Sequence, residues 1–190
     1  SEELKKELRQ LPAGLLHLEA GIQSLREPVL EKSQRIGKLS DALEGLKFLC
    51  SLSNMETHAD LIAGLPLYRL DEIFEDIYTL AGYRAGEIQL ESLKLLPGTE
   101  MRHRADELGI RYSPLPPYEV LQTGEISVGE LQTARRLSRL LDAFYNTPAW
   151  QELTRELILN DRRFLYRFLA YLTEANLCLL YTSPSPRDST

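Results

Sequence analysis

Three short segments of this chain alternate polar and apolar residues with a period of two, and a helix-like segment follows each of them. They span residues 15–24, 58–66 and 87–94. Alternation of period two predicts strands whose two faces meet different surroundings. Strands that alternate with helices through short loops form parallel βαβ units. The sequence therefore predicts an α/β protein with parallel strands.

The first two segments carry the candidate site. In each segment, apolar residues occupy one face. The other face carries mostly polar residues and glycine, namely His17, Glu19, Gly21 and Gln23 in the first segment and His58, Asp60, Ile62 and Gly64 in the second. We expect the apolar face to pack on helices. We expect the other face to line a cavity for a small-molecule ligand.

The pattern changes after the third βα unit. Residues 112–118 are rich in proline, and no strand alternation follows them. Ser127 and Glu130 form a capping-box pattern that opens a helix, and two more helices are predicted to begin near Thr147 and Asp161. The predicted organisation is an α/β part over 1–112, a linker over 113–126, a helical domain over 127–177 and a tail over 178–190.

The tail and the first residues give two further expectations. Residues 178–190, CLLYTSPSPRDST, have no periodicity and resemble the translation of sequencing-adapter DNA, so we expect them to be non-native. Three parallel strands are too few to close a barrel, and residues 1–11 read as a helix that feeds a strand. We therefore expect the chain to be a piece of a longer protein.

Composition excludes several classes of function. A net charge of −6 argues against nucleic-acid binding, which needs clustered Lys and Arg. The two cysteines, Cys50 and Cys178, match no metal or cluster spacing, so we predict no metal site, and we expect His17 and His58 to be barrel-lining histidines. No apolar run approaches the roughly 20 residues that span a bilayer, and no signal peptide is present, which predicts a cytoplasmic protein without membrane contact.

As a set, the motifs resemble the radical S-adenosylmethionine (SAM) enzymes. Residues 19–24 and 28–35 resemble the fourth strand of their barrel and the helix that follows it. Residues 60–66 resemble the fifth strand, and residues 93–99 resemble the end of the sixth strand. Residues 117–120 and 144–146 resemble the C-terminal domain of a subgroup that carries a cobalamin-binding domain before the barrel. The resemblance implies the C-terminal half of a partial (βα)6 TIM-like barrel followed by an all-helical module.

The implied cofactors are SAM, a four-iron, four-sulfur cluster and, from the subgroup alone, cobalamin. The implied activity is reductive cleavage of SAM at the cluster to start radical chemistry on an unknown substrate. The CxxxCxxC loop that binds the cluster is absent from these 190 residues, so we expect the chain alone to be inactive. The resemblance assigns no catalytic residue.

The resemblance assigns binding roles to six residues. Gln23 and Asp60 match the side chains that bond the ribose hydroxyls of SAM, and Arg35 matches the residue that pairs with its methionine carboxylate. Ile62 and Gly64 match the strand positions that lie against the adenine ring. Glu19 matches a position that can bind the SAM amino group or the substrate. In one respect the sequence departs from the family. The Gly and acidic residue that usually follow the Leu-Pro of the fifth strand are Leu67 and Tyr68 here.

Other interpretations stay open. Asp60 can bond a loop backbone, Arg35 can be a surface ion-pair partner, and Gly64 can relax a turn. The whole chain can be a non-catalytic α/β and helical module that binds a protein, which predicts an exposed apolar patch after Ser127. It can also belong to another barrel enzyme, which predicts an anion site at Gly98–Thr99.

Overall fold

The computed structural model describes residues 2–175. The helices are α1 Glu2–Gln10, α2 Glu27–Lys32, α3 Leu39–Cys50, α4 Leu70–Gly82, α5 Glu100–His103, α6 Val128–Leu140, α7 Pro148–Asn160 and α8 Phe164–Glu174. The strands are β1 His17–Gln23, β2 Glu56–Ala63, β3 Glu87–Ser92, β4 Arg111–Tyr112 and β5 Val120–Gln122. A π-helical turn, Leu141–Tyr145, continues α6. The predicted non-native tail lies outside the described residues.

The main sheet has three strands in the order β1-β2-β3, and both strand pairs are parallel. This confirms the α/β prediction and the three predicted parallel strands. Closure into a partial barrel stays a prediction. None of the helices within residues 2–175 is both long and apolar enough to cross a bilayer.

The two faces of the sheet differ as the alternation predicts. Ala20, Ala59 and Ile88 are paired across the three strands, and Leu61 pairs with Leu90 in the next apolar row. These side chains belong to one hydrophobic core that also includes buried residues of α3, α4 and α6. The helices therefore cover the apolar face, and the other face carries the polar residues.

The third βα unit differs from the first two. Its helix, α5, is only a single turn, and an antiparallel pair, β4–β5, follows it, although this part of the sequence shows no strand alternation. β5 spans three residues, which is too short for a periodic signal. The helix α3 begins at Leu39, so Ser40 lies within its first turn, where its hydroxyl is 3.4 Å from the Asp41 carboxylate.

The helical segment packs on the outer edge of β3. The Asn146 side-chain amide accepts from the backbone N–H of Ile88 and donates to its carbonyl, both at 3.0 Å, as a neighbouring strand would. The Tyr145 hydroxyl donates to the Ala85 carbonyl at 2.8 Å. These contacts protect an exposed strand edge and give a structural role to residues 144–146. The boundary over 113–126 stays a prediction.

Candidate cofactor site on the polar face of the sheet

Four of the six predicted binding residues lie on β1 or β2 with a side chain on the polar face or at its carboxyl end. Glu19 is in register with His58, and Asp60 and Ile62 are in register with Gln89 and Glu91. Residues two apart on a strand share a face, so Glu19, Asp60 and Ile62 lie on one side of the sheet. Asp60 is buried, Ile62 is partly buried and Glu19 is exposed. The carboxyl end of a parallel sheet is where α/β enzymes build their sites.

The end of β1 brings Gln23 and Arg35 together. A bulge between Ala20 and Gln23 interrupts the register, and Gln23 has a left-handed φ of 70°. A Cβ atom on Gly21 would lie 3.1 Å from the Gln23 amide nitrogen and 3.8 Å from an Arg35 guanidinium nitrogen. Glycine at this position therefore leaves room for the Gln23 amide to lie against the strand, and the Arg35 guanidinium lies beside it at ordinary contact distance.

Arg35 is exposed, and one guanidinium nitrogen, Nη2, donates to the Gly21 carbonyl at 2.6 Å. This bond fixes the guanidinium beside β1 and leaves its other N–H groups available. A guanidinium so placed can pair with a carboxylate.

Gly64 follows β2 and is buried with a left-handed φ of 93°. A Cβ atom there would lie 3.3 Å from Val120 Cγ1 and 3.5 Å from Leu93 Cβ. The position thus needs glycine both for its backbone and for the close approach of β5. This supports the turn interpretation of Gly64, while its contact with adenine stays a prediction.

A buried carboxylate that the sequence did not predict holds the loops beyond these strands. Asp76 of α4 is 1% exposed, and it accepts hydrogen bonds from the Tyr68 hydroxyl at 2.6 Å and the Leu25 N–H at 2.8 Å. Its other oxygen lies 2.8 Å from Arg26 Nη2. Burial raises the pKa of the Asp76 carboxyl, and the hydrogen bonds from Tyr68 and Leu25 oppose that shift. Asp76 therefore joins the loop after β1 to the loop after β2.

The departure from the family motif has a structural consequence. Leu67 stands where the family has glycine, and its φ is 65°, in the left-handed region. Tyr68 stands at the acidic position, and its ring is fully buried with the hydroxyl on Asp76. Burial raises the pKa of the Tyr68 phenol well above its usual value, and the neighbouring Asp76 carboxylate adds to this shift. Tyr68 thus has a packing role rather than a ligand role.

A second polar cluster lies at the amino ends of the same strands. The Nε2 atoms of His17 and His58 face each other, with the rings edge to face and their centroids 4.0 Å apart. Glu87 Oε2 lies 3.2 Å from His58 Nε2. The ligand atoms of the three residues all lie within 4.8 Å of one another. The sequence predicted two separate lining histidines and not this cluster, because their meeting depends on the strand register.

Two cavities lie away from the predicted residues. One of about 600 Å³ is lined in part by Arg69, Glu125 and Tyr166, and one of about 310 Å³ by residues of α6 and α8. Neither includes any of the six predicted binding residues. The alternative anion site at Gly98–Thr99 also lacks support, because α5 has only four residues and so offers little helix dipole.

The comparisons with known proteins concern the C-terminal part of the chain. Residues 106–177 match a family described as "Protein of unknown function (DUF4080)". No protein with curated annotation matches the chain. The matched range is less than half of the 190 residues. It begins after α5 and includes both Val120, which packs on Gly64, and Asn146, which binds the edge of β3.

Proposed function

We propose that this chain is the C-terminal part of a cobalamin-type radical SAM enzyme and that the polar face of its sheet binds SAM. The observation that carries the proposal is the convergence of Gln23 and Arg35 on Gly21, at the end of the strand that neighbours Asp60. The family matched over 106–177 is the domain found in cobalamin-binding radical SAM proteins, which adds support.

The residues present fit the polar groups of SAM. The Asp60 carboxylate can accept from ribose hydroxyls, and the Gln23 amide can both donate and accept. The Arg35 guanidinium offers N–H groups to a carboxylate. Ile62 presents an apolar surface in the next row of the same face, where a purine ring can pack. When bound beside an iron–sulfur cluster, SAM supplies one-electron chemistry that no side chain provides.

These residues do not fit the cluster itself. The cluster needs three cysteine ligands, and the 190 residues contain two cysteines. Cys50, at the end of α3, is half-buried, and burial raises the pKa of its thiol, which disfavours the thiolate that binds metal. The proposal therefore requires cluster ligands from sequence outside these residues. The role of cobalamin rests on the subgroup resemblance alone.

The open reading frame that contains these residues tests the proposal. We expect it to encode CxxxCxxC roughly 100 to 150 residues before Glu19, a distance set by three βα units with short loops. A complete frame without those cysteines would contradict the proposal. The matched biochemical test is iron and sulfide analysis of the protein after anaerobic reconstitution, with all three cysteines changed to alanine as the control.

A second function, a protein-interaction module, is supported by one face of α7. Trp150, Leu153 and Leu157 are 51%, 52% and 40% exposed, and their spacing places them along one stripe. The opposite face of α7 is buried through residues such as Ile158. A Trp150→Ser, Leu153→Ser variant separates the two functions. If the protein is a SAM enzyme, the double variant keeps SAM binding and Asp60→Ala loses it. If the protein is an interaction module, SAM does not bind to the parent chain or to either variant.

A further inference from the structure

We propose that His17, His58 and Glu87 form a binding site for one divalent transition-metal ion of the zinc class. The three residues come from three adjacent parallel strands, at the first position of β1, the third of β2 and the first of β3. None of the three is among the six residues proposed to bind SAM, so the proposed ion does not require SAM. The site lies toward the amino ends of the strands, away from Gln23 and Gly64, and Glu19 is in register with His58 beside it.

The ligand set and its spacing suit such an ion. Two imidazole nitrogens and a carboxylate oxygen are a zinc ligand set that leaves a fourth position for water or another ligand. With metal–ligand bonds of about 2.0–2.2 Å, the ligand atoms of a tetrahedral ion lie about 3.4 Å apart. The separation of His58 Nε2 and Glu87 Oε2 is 3.2 Å, and all three ligand atoms lie within 4.8 Å of one another. One ion can therefore contact all three with small side-chain movements.

Neighbouring side chains orient both imidazoles. His17 Nδ1 lies 3.4 Å from Glu56 Oε2, so a proton on Nδ1 faces a carboxylate and the lone pair of Nε2 faces the cluster. His58 Nδ1 lies 3.1 Å from the Gln89 amide, whose oxygen and nitrogen can exchange places by rotation, so the amide can accept a proton from Nδ1. Metal-bound histidines typically have such a partner on the second nitrogen.

A hydrogen-bonded pair explains the arrangement less well than an ion does. A single proton can join the two Nε2 atoms or join His58 to Glu87, but it cannot join all three ligand atoms at once. The cluster is also accessible, because the side chains of His17 and Glu87 are 52% and 34% exposed while that of His58 is 8% exposed. An ion can enter past His17 and bind against the buried imidazole.

Cobalt titration of the tag-free 190-residue chain, after removal of metal with a chelator, tests the site. Co²⁺ is the probe because its visible absorption reports coordination number. We expect one Co²⁺ per chain, with the intense bands of a four-coordinate ion, and displacement by Zn²⁺. His17→Ala should weaken binding by more than the roughly 10- to 100-fold that loss of an outer partner costs, and Glu56→Gln should weaken it within that range.

His103→Ala is the matched control, because His103 lies on α5, is exposed and is the remaining histidine of the sequence. We expect this variant to bind Co²⁺ with unchanged affinity. His17 is half exposed, so its removal should leave the fold intact, which far-UV circular dichroism checks. Absence of Co²⁺ uptake by the parent chain, or equal affinity in the parent and His17→Ala chains, would overturn the proposal. Neither result bears on SAM binding, which is measured separately through Asp60.

Discussion

Replacement of Asp76 by alanine tests whether the buried carboxylate holds the two carboxyl-end loops. The change leaves the Tyr68 hydroxyl, the Leu25 N–H and the Arg26 guanidinium without their acceptor. Breaking a buried ion pair costs about 3–5 kcal/mol. The Arg26 side chain is 34% exposed and can regain hydrogen bonds to water. We therefore expect the free energy of unfolding to fall by about 3 kcal/mol, near the lower limit of that range. At a denaturant slope of about 2 kcal/mol per molar, the midpoint in urea falls by about 1.5 M.

Asp71→Ala is the matched control on the same helix. Asp71 pairs with Arg69, and both side chains are largely exposed, so we expect a loss below about 1 kcal/mol. A Tyr68→Phe, Asp76→Ala double variant should lose less than the sum of the single variants by about 1 kcal/mol, because Tyr68→Phe removes one stranded donor. Equal losses for Asp76→Ala and Asp71→Ala in urea unfolding, or strict additivity of the double variant, would refute the reasoning.

Three further substitutions test local features by urea unfolding. Leu67→Gly should stabilise the protein by up to about 1 kcal/mol, because glycine adopts the φ of 65° without strain, and any loss of stability contradicts this. Gly86→Ala should lower the free energy of unfolding by more than about 1 kcal/mol, because the added Cβ would lie 2.9 Å from the Thr57 carbonyl oxygen. Gly124→Ala is the control and should change the stability little, because no atom lies within 4 Å of its added Cβ. Equal effects of the two substitutions would refute the clash. Burial raises the pKa of Tyr78 from 10 to about 12, so the unfolded chain loses this proton at lower pH than the folded protein, and stability should fall as pH rises through that range. Tyr78→Phe should reduce this fall in the free energy of unfolding by on the order of 2 kcal/mol. An identical pH dependence in the parent and the variant would contradict the prediction.

Local patterns predicted the elements that depend on local chemistry. Alternation in residues 15–24 and 58–66 predicted two strands with distinct faces, and the structure confirms both strands. The capping box at the start of α6 is also confirmed, with the Glu130 N–H donating to Ser127 Oγ at 3.3 Å and the Ser127 N–H donating to the Glu130 carboxylate at 2.9 Å. Each of these patterns is complete within a few residues of the chain.

The features that the sequence did not predict depend on residues far apart in the chain. Asp76 stands among the inward positions Ile73 and Ile77 of α4, and its donors come from a loop about fifty residues earlier and from the loop before the helix. A polar residue on an apolar face was the available signal for a buried hydrogen-bonded group. The polar cluster of His17, His58 and Glu87 needed the strand register, which alternation alone does not provide.

The motif at residues 144–146 shows how resemblance and structure add to each other. The sequence indicated only that these residues resemble a C-terminal helical domain. In the structure the π-helical turn places Tyr145 and Asn146 against the backbone of Ala85 and Ile88. A contact of this kind stabilises the edge of the sheet, and no periodic pattern reports it.

SAM binding by the protein translated from the complete open reading frame tests the central claim most directly. Isothermal titration should give a dissociation constant for the reconstituted protein that increases on Asp60→Ala and on Gln23→Ala and stays unchanged on His103→Ala. Loss of one hydrogen bond to a neutral group costs about 0.5–1.5 kcal/mol, and to a charged group about 1.5–3 kcal/mol, so we expect the larger increase for Asp60. A dissociation constant that is unchanged in both variants, or absence of SAM binding by the reconstituted protein, would contradict the account.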